Sequence, residues 1–155
     1  MARTKRTTRR RFAVRKSSIH GRGVFALTGI PGGARLVEYK GDRISHEEAD
    51  ERYGEMHENS PHTMLFSVND ELVIDATHRG SSARWINHSC SPNCEANEEG
   101  GRIFIDTVRV IRPGEELTYD YNLVLDERHT PALKRAHVCY CGTRRCRGTL
   151  LGKKR

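Results

Sequence analysis

Apolar residues along this chain come in short runs, never in long ones, and glycine-rich turns separate them. Phe12–Val14, Val24–Leu27, Leu36–Tyr39, Met64–Val68, Leu72–Ile74, Ile103–Val108 and Glu116–Tyr119 are the β-type runs, rich in Val, Ile, Phe and Tyr. The breaks between them are His20-Gly-Arg-Gly23, Pro31-Gly-Gly33, Gly100-Gly101 and Pro113-Gly114. Ser45-His-Glu-Glu48 has the form of a capping box, in which a hydroxyl and a carboxylate satisfy the first amides of a helix. It predicts a helix over Glu47 to His57, and a second short helical piece is expected over Gly80–Ile86. Residues 1–11, MARTKRTTRRR, show no apolar periodicity and are expected to be a disordered basic arm. No internal repeat is visible. The pattern predicts a mainly β domain of short twisted strands with few short helices.

Composition narrows this picture. At 155 residues, 35% apolar and 30% charged, the chain has room for one core and no large second domain. No stretch approaches the roughly 18 apolar residues of a membrane span, and the basic N-terminus lacks the apolar segment of a secretory signal. The expectation is a soluble intracellular protein with no membrane partner, in the cytoplasm or, in a eukaryotic setting, the nucleus. The formal charge of +7 is unevenly spread. Residues 1–16 hold eight basic residues and residues 128–155 hold nine, with no acid in either segment. All 20 acids therefore face only ten bases in the middle of the chain. An acidic body between basic ends suits a cationic peptide better than a phosphate backbone. The ends themselves read as solvated tails or as arms for nucleic acid.

The five cysteines are clustered. Cys139, Cys141 and Cys146 form C-x-C-x4-C, and Cys90 and Cys94 sit in N-H-S-C-S-P-N-C. Cysteines two apart do not readily find separate disulfide partners, and the odd total leaves one over. With no secretion signal, Zn2+ held by three tail thiolates and either Cys90 or Cys94 is the better account.

Four segments carry a more specific message. They are Ser18-Ile-His-Gly-Arg-Gly-Val-Phe-Ala26, Glu38-Tyr-Lys-Gly-Asp-Arg-Ile-Ser45, Arg84-Trp-Ile-Asn-His-Ser-Cys-Ser-Pro-Asn-Cys94 and Pro113-Gly-Glu-Glu-Leu-Thr-Tyr-Asp-Tyr121. In this order, followed by C-x-C-x4-C, they resemble the SET-domain protein lysine methyltransferases over about residues 12–150. The resemblance implies the SET (β-clip) fold over residues 12–123, with the N-H-S-C and E-L-T-Y-D-Y segments meeting in a pseudoknot. It implies a post-SET zinc segment and basic C-terminus over residues 124–155. S-adenosylmethionine would bind on one face and a lysine-bearing basic tail, histone or histone-like, on the other, joined by a narrow channel.

Residue roles follow from the same resemblance. His20, Arg22 and Gly23 would meet the methionine end of the cofactor, Asn87 and His88 its amino group and adenine, and Tyr140 would touch it from the tail. Tyr121 is the expected catalytic tyrosine and Tyr39 a second channel tyrosine. Tyr119 stands at the phenylalanine/tyrosine switch, where a hydroxyl favours mono- or dimethylation over trimethylation. Asp120 and Glu116 are expected to be structural acids. Cys90, Cys139, Cys141 and Cys146 would hold Zn2+, leaving Cys94 as a small buried thiol. Arg144, Arg145 and Arg147 are expected to serve solubility or charge balance.

Two departures from the family pattern stand out. Met64 falls where a family tyrosine commonly contacts the cofactor, and the insert between Asp75 and Arg84 is short. The chain looks like a minimal stand-alone form. Ala2-Arg-Thr-Lys-Arg-Thr7 resembles the start of the histone H3 tail, Ala-Arg-Thr-Lys-Gln-Thr, which makes Lys5 a candidate for automethylation. The competing reading is a catalytically silent SET-like module that binds basic tails or nucleic acid. A methyltransferase for some other protein, such as a ribosomal subunit, is a third.

Overall fold

The computed structural model describes residues 10–59, 64–124 and 128–152. Residues 1–9 of the expected arm, Lys5 among them, lie outside the described residues. Arg11 already belongs to the fold: its carbonyl accepts from the Leu27 amide (2.8 Å) and its guanidinium donates to the Arg35 carbonyl (3.0 Å).

In chain order the strands are β1 (Phe12–Lys16), β2 (Arg22–Ala26), β3 (Arg35–Tyr39), β4 (Asp42–Ile44), β5 (Leu65–Ser67) and β6 (Val73–Asp75). They continue as β7 (Asn87–His88), β8 (Cys94–Glu99), β9 (Arg102–Thr107) and β10 (Glu116–Tyr119). Two helices, α1 (His46–Asn59) and α2 (Pro131–Ala136), and a 3₁₀ turn at Ser82–Trp85 complete the described fold. The chain is mainly β, in keeping with its alternating runs. The short helical piece expected over Gly80–Ile86 is this 3₁₀ turn, which ends where Ile86 takes an extended conformation (φ −68°, ψ 121°) and leads into β7.

Three small sheets result, ordered β1-β2-β10-β7, β3-β9-β8 and β4-β6-β5. β8 and β9 form a hairpin closed by Gly100-Gly101, both at positive φ (58° and 79°), which the tight turn between right-twisted strands requires. Ser45 starts α1 by accepting the Glu48 amide at 3.0 Å, as the capping box predicts. Pro131 at the first turn and the Thr130 hydroxyl, which accepts from the Leu133 amide, start α2.

The central strand is β10. It runs antiparallel to β2, pairing Leu117 with Val24, and parallel to β7, pairing Thr118 with Asn87 and Tyr119 with His88. Beyond β7 the Asn93 side chain takes the place of further strand: it donates to the Glu116 carbonyl (2.8 Å) and accepts from the Thr118 amide (2.9 Å). The N-H-S-C and E-L-T-Y-D-Y segments thus meet, as the resemblance implies. Val24, Ile30, Ile74, Ile86, Ile105, Ile111 and Leu117 are buried around this junction, each contributing on the order of 1.5–3 kcal/mol. The interior fixes the backbone of β10, and with it the direction in which Tyr119 and Tyr121 leave the strand.

Candidate active site and metal centre

The loop before β2 and the short β7 are tied together through one acid. Glu116, the first residue of β10, accepts from the Ser17 hydroxyl (2.7 and 2.9 Å) and from the Asn87 side-chain amide (2.9 Å). The same amide nitrogen of Asn87 reaches the backbone carbonyls of His20 (3.1 Å) and Arg22 (3.0 Å). Asn87 therefore spends its donors on holding the His20–Arg22 loop in place. Gly23 also serves this hub: a Cβ there would lie 2.0 Å from Oε1 of Glu116. A side chain at position 23 would push the acid out of its place. Gly23 and Asn87 stand in the motifs, and Glu116 takes the structural part expected of it, but nothing in the local pattern marks Ser17 and Asn93 as its partners. Their hydrogen bonds span 23 to 99 positions along the chain, beyond any local pattern.

Beside this hub opens a small cleft lined by Ile19, His20, Asn87, His88, Tyr121, Val138, Tyr140 and Leu150. Four of the six expected cofactor residues, His20, Asn87, His88 and Tyr140, line it together. Arg22 and Gly23 do not. Arg22 lies over the face of Trp85, 5.4 Å from the ring centre, and makes no ion pair among the described residues. Tyr140 is 61% exposed, an open aromatic face on the tail side of the cleft.

From the cleft a row of aromatic rings leads inward. His88 meets Tyr121 edge-on (5.4 Å), Tyr121 packs on Tyr119 (4.9 Å), Tyr119 approaches Phe66 (6.4 Å) and Phe66 packs on Tyr39 (5.2 Å). Tyr121 belongs to both features. Its hydroxyl donates to the Ile86 carbonyl at 2.5 Å, and its amide donates to Nδ1 of His88 at 3.0 Å. Burial pushes the phenols of Tyr39, Tyr119 and Tyr121 above the usual tyrosine range, so all three remain protonated at neutral pH. Burial also pulls His88 down to about 4, partly opposed by Asp120. A neutral His88 that accepts at Nδ1 carries its proton on Nε2, which lies 3.4 Å from Sγ of Cys90. Met64 packs against the core beside Phe66, and its carbonyl accepts from the Ala76 amide.

Behind the tail side of the cleft, the sulfurs of Cys90, Cys139, Cys141 and Cys146 all lie within 4.8 Å of one another. Four thiolates about 2.3 Å from a zinc ion stand roughly 3.8 Å apart, and Cys90 and Cys139 are 3.7 Å apart. Backbone amides of Arg147, Cys141 and Gly148 point at the sulfurs of Cys90, Cys139 and Cys146 at 3.3–3.4 Å, as anionic sulfur demands. The donor set fits a closed tetrahedral Zn2+ site, and Cys90 rather than Cys94 is its fourth member. Cys94 is 1% exposed on β8, with its thiol pushed up to about 12 by burial.

Known proteins resemble the chain over most of its length. Residues 21–122 match the model of the SET domain. The chain belongs to the SET-domain family. It is 41% identical over 152 residues to "Histone-lysine N-methyltransferase TRX1" of Oryza sativa subsp. japonica, covering 94% of this chain and 14% of that protein. It is 40% identical over 148 residues to "Histone-lysine N-methyltransferase, H3 lysine-4 specific" of Mycosarcoma maydis, covering 92% and 10%. A third relative, "Histone-lysine N-methyltransferase trithorax" of Drosophila virilis, is 38% identical over 136 residues, covering 85% and 3%. The chain thus spans a seventh or less of the length of these curated relatives.

Proposed function

We propose that this chain is an S-adenosylmethionine-dependent protein lysine N-methyltransferase acting on a histone H3 tail, with the lysine named in its relatives, H3 lysine 4, as the first substrate to try. The observation that carries the reading is the double membership of Tyr121, which lines the cleft on one side and ends the row of aromatic rings on the other. A methyl donor in the cleft and a lysine between the rings would meet at its hydroxyl. A silent binding module has no need of such a junction.

S-adenosylmethionine supplies a methyl group on a positively charged sulfur, already open to attack. The donor set of the cleft fits such a molecule. His20 and the backbone of its loop, steadied by Asn87, would hold the amino-acid end. Arg22, which makes no ion pair among the described residues, would be the partner of the cofactor's own carboxylate. Ile19, Val138, Tyr140 and Leu150 offer apolar faces for the adenine. What remains is for the chain to present a neutral amine. Lysine ordinarily titrates near 10.4, and a lysine placed against the rings of Tyr39, Phe66, Tyr119 and Tyr121 would be disfavoured in its charged form and give up its proton before attack. Alignment then supplies most of the rate. Tyr121, held by the Ile86 carbonyl, keeps its oxygen fixed where the amine and the methyl approach, and a fixed dipole is worth more than a mobile one. Tyr119 is the residue that limits the number of methyl groups to one or two.

Zn2+ on Cys90, Cys139, Cys141 and Cys146 takes no part in the transfer: four thiolates leave no open position. Its work is to hold the tail side of the cleft. The histone-like string Ala2–Thr7 makes Lys5 an internal competitor and a methyl acceptor, and work on a histone tail places the protein on chromatin. The test is transfer of labelled methyl to an H3 tail peptide, to core histones, to ribosomal proteins and to the enzyme alone. Label on the peptide's lysine 4 and on Lys5 supports the reading. No label on any protein, with salt-sensitive DNA binding instead, would establish the silent module.

A further inference from the structure

Arg147 follows Cys146 and, by sequence, is one of three arginines expected to serve solubility or charge balance. Its neighbours Arg144 and Arg145 fit that description and make no ion pair among the described residues. Arg147 does not. Its guanidinium forks the carboxylate of Asp120, Nη1 to Oδ2 at 2.6 Å and Nη2 to Oδ1 at 3.0 Å, while its own amide donates to Sγ of Cys90 at 3.3 Å. The two side chains are about one third exposed (29% and 32%), so the pair is partly shielded from water. Asp120 lies between Tyr119 and Tyr121, accepts from the Asn122 amide (2.8 Å) and lies 3.5 Å from Nδ1 of His88. A planar fork on a carboxylate fixes both distance and angle, which a lysine could not do.

We propose that Arg147 is a positioning residue. It latches the C-terminal cysteine loop onto the segment that carries Tyr119 and Tyr121, so that closing the tail over the cleft and aiming Tyr121 are one event. Among the described residues, two links through side chains join the cysteine cluster to that segment. One runs from Arg147 to Asp120, and the other from Cys90 through His88 to the Tyr121 amide. The first is the one a substitution can remove without touching a ligand or a cleft residue. The proposal deepens the methyltransferase reading and rests on it for its catalytic consequence, but the latch itself can be read without any turnover.

The experiment compares Arg147→Ala, Arg147→Lys and the reversed pair Asp120→Arg with Arg147→Asp against Arg144→Ala as control. Three quantities are read on each full-length protein: hydrogen exchange over residues 137–152, metal loss to a chelator, and affinity for S-adenosylhomocysteine by calorimetry. Arg147→Ala should speed exchange and metal loss and weaken the ligand by about three- to tenfold, the scale of one charge-assisted fork partly open to water. Arg147→Lys should fall between, the reversed pair should recover part of the loss, and Arg144→Ala should match the parent. If Arg147→Ala fails to fold, Arg147→Lys against the reversed pair decides the matter by the same readouts. Exchange in residues 137–152 no faster than in Arg144→Ala would overturn the latch, even where methyl transfer is robust. Faster exchange in a protein that transfers no methyl would keep the latch and sink the enzymatic reading.

Discussion

One wall of the cleft runs from Asn87 to Tyr121, the other from Val138 to Leu150, and they are held by different means. The first is strand: β7 and β10 are paired in register, backed by Asn93 and Glu116, and rooted in the core around Ile86 and Leu117. The second has almost no ladder. The described residues give it two isolated bridges, Val138 with Thr149 and Leu123 with Leu151, the short α2, the cysteine cluster and the Arg147 fork. Backbone pairing makes the first wall rigid before anything binds. The second depends on side chains and a metal, which is where local opening is expected first. On the proposed reading, the reacting groups sit on the rigid wall and the covering groups on the conditional one.

The sharpest way to break this contrast is at the rigid wall. Tyr121→Phe deletes one hydroxyl and leaves the strand intact, so turnover should fall about 10²–10³-fold, the scale for one fixed polar group at the reacting atoms. Cofactor affinity should change only a few-fold. Steady-state kinetics with calorimetry separates the two, and near-full turnover would mean that Tyr121 does not carry the chemistry. At the conditional wall, Cys141→Ser or chelation should do the opposite. Cofactor affinity should fall about 10–100-fold, while far-ultraviolet dichroism keeps the β signature. Elemental analysis of the reduced parent should give one zinc per chain; none in active protein would remove the metal from the account.

A smaller effect tests the hub that joins the loop to β10. Gly23→Ala puts a methyl where Oε1 of Glu116 lies, and should cost about 1–3 kcal/mol of stability, seen as a lower denaturation midpoint. Asn87→Ala should weaken cofactor binding by loosening the same loop. The pH profile distinguishes the amine from the phenols. The three tyrosines titrate above their usual range, so they stay protonated as pH rises from 7 to 10 and contribute no falling limb. Rate at subsaturating peptide should instead climb about tenfold per unit, following the neutral fraction of lysine. Smallest in total rate is Tyr119→Phe, whose effect is on the product. The mass spectrum of one peptide should move from mono- toward di- and trimethyl-lysine, and an unchanged ladder would retire the switch assignment.

The rigid wall was largely legible in the sequence, the conditional one less so. β1, β2, β3 and β10 announce themselves by apolar runs between glycine turns, and the capping box marks α1. β8 was missed because Cys-Glu-Ala-Asn-Glu-Glu reads as solvated charge; pairing with β9 through Gly100-Gly101 makes it a strand. β4 and β7, of three and two residues, are too short to show a period and exist only by pairing with distant partners. The site residues of the motifs were legible through the family resemblance. Their supports were less so: Glu116 was legible as a structural acid but not by its partners, and Ser17, Asn93 and Arg147 act through contacts across 23 to 99 positions of which a polar residue gives no local sign. The seat of Arg22 over Trp85 is likewise a contact that only the folded chain brings about.

The central claim is that a methyl donor and a lysine meet at Tyr121. The most direct measurement is tandem mass spectrometry of an H3 tail peptide after incubation with S-adenosylmethionine and either the parent protein or Tyr121→Phe, each first shown to bind the cofactor. The account predicts mono- and dimethyl groups on lysine 4 with the parent and almost none with the variant. Equal methylation by both, or none by a parent that binds cofactor and holds its zinc, would contradict it.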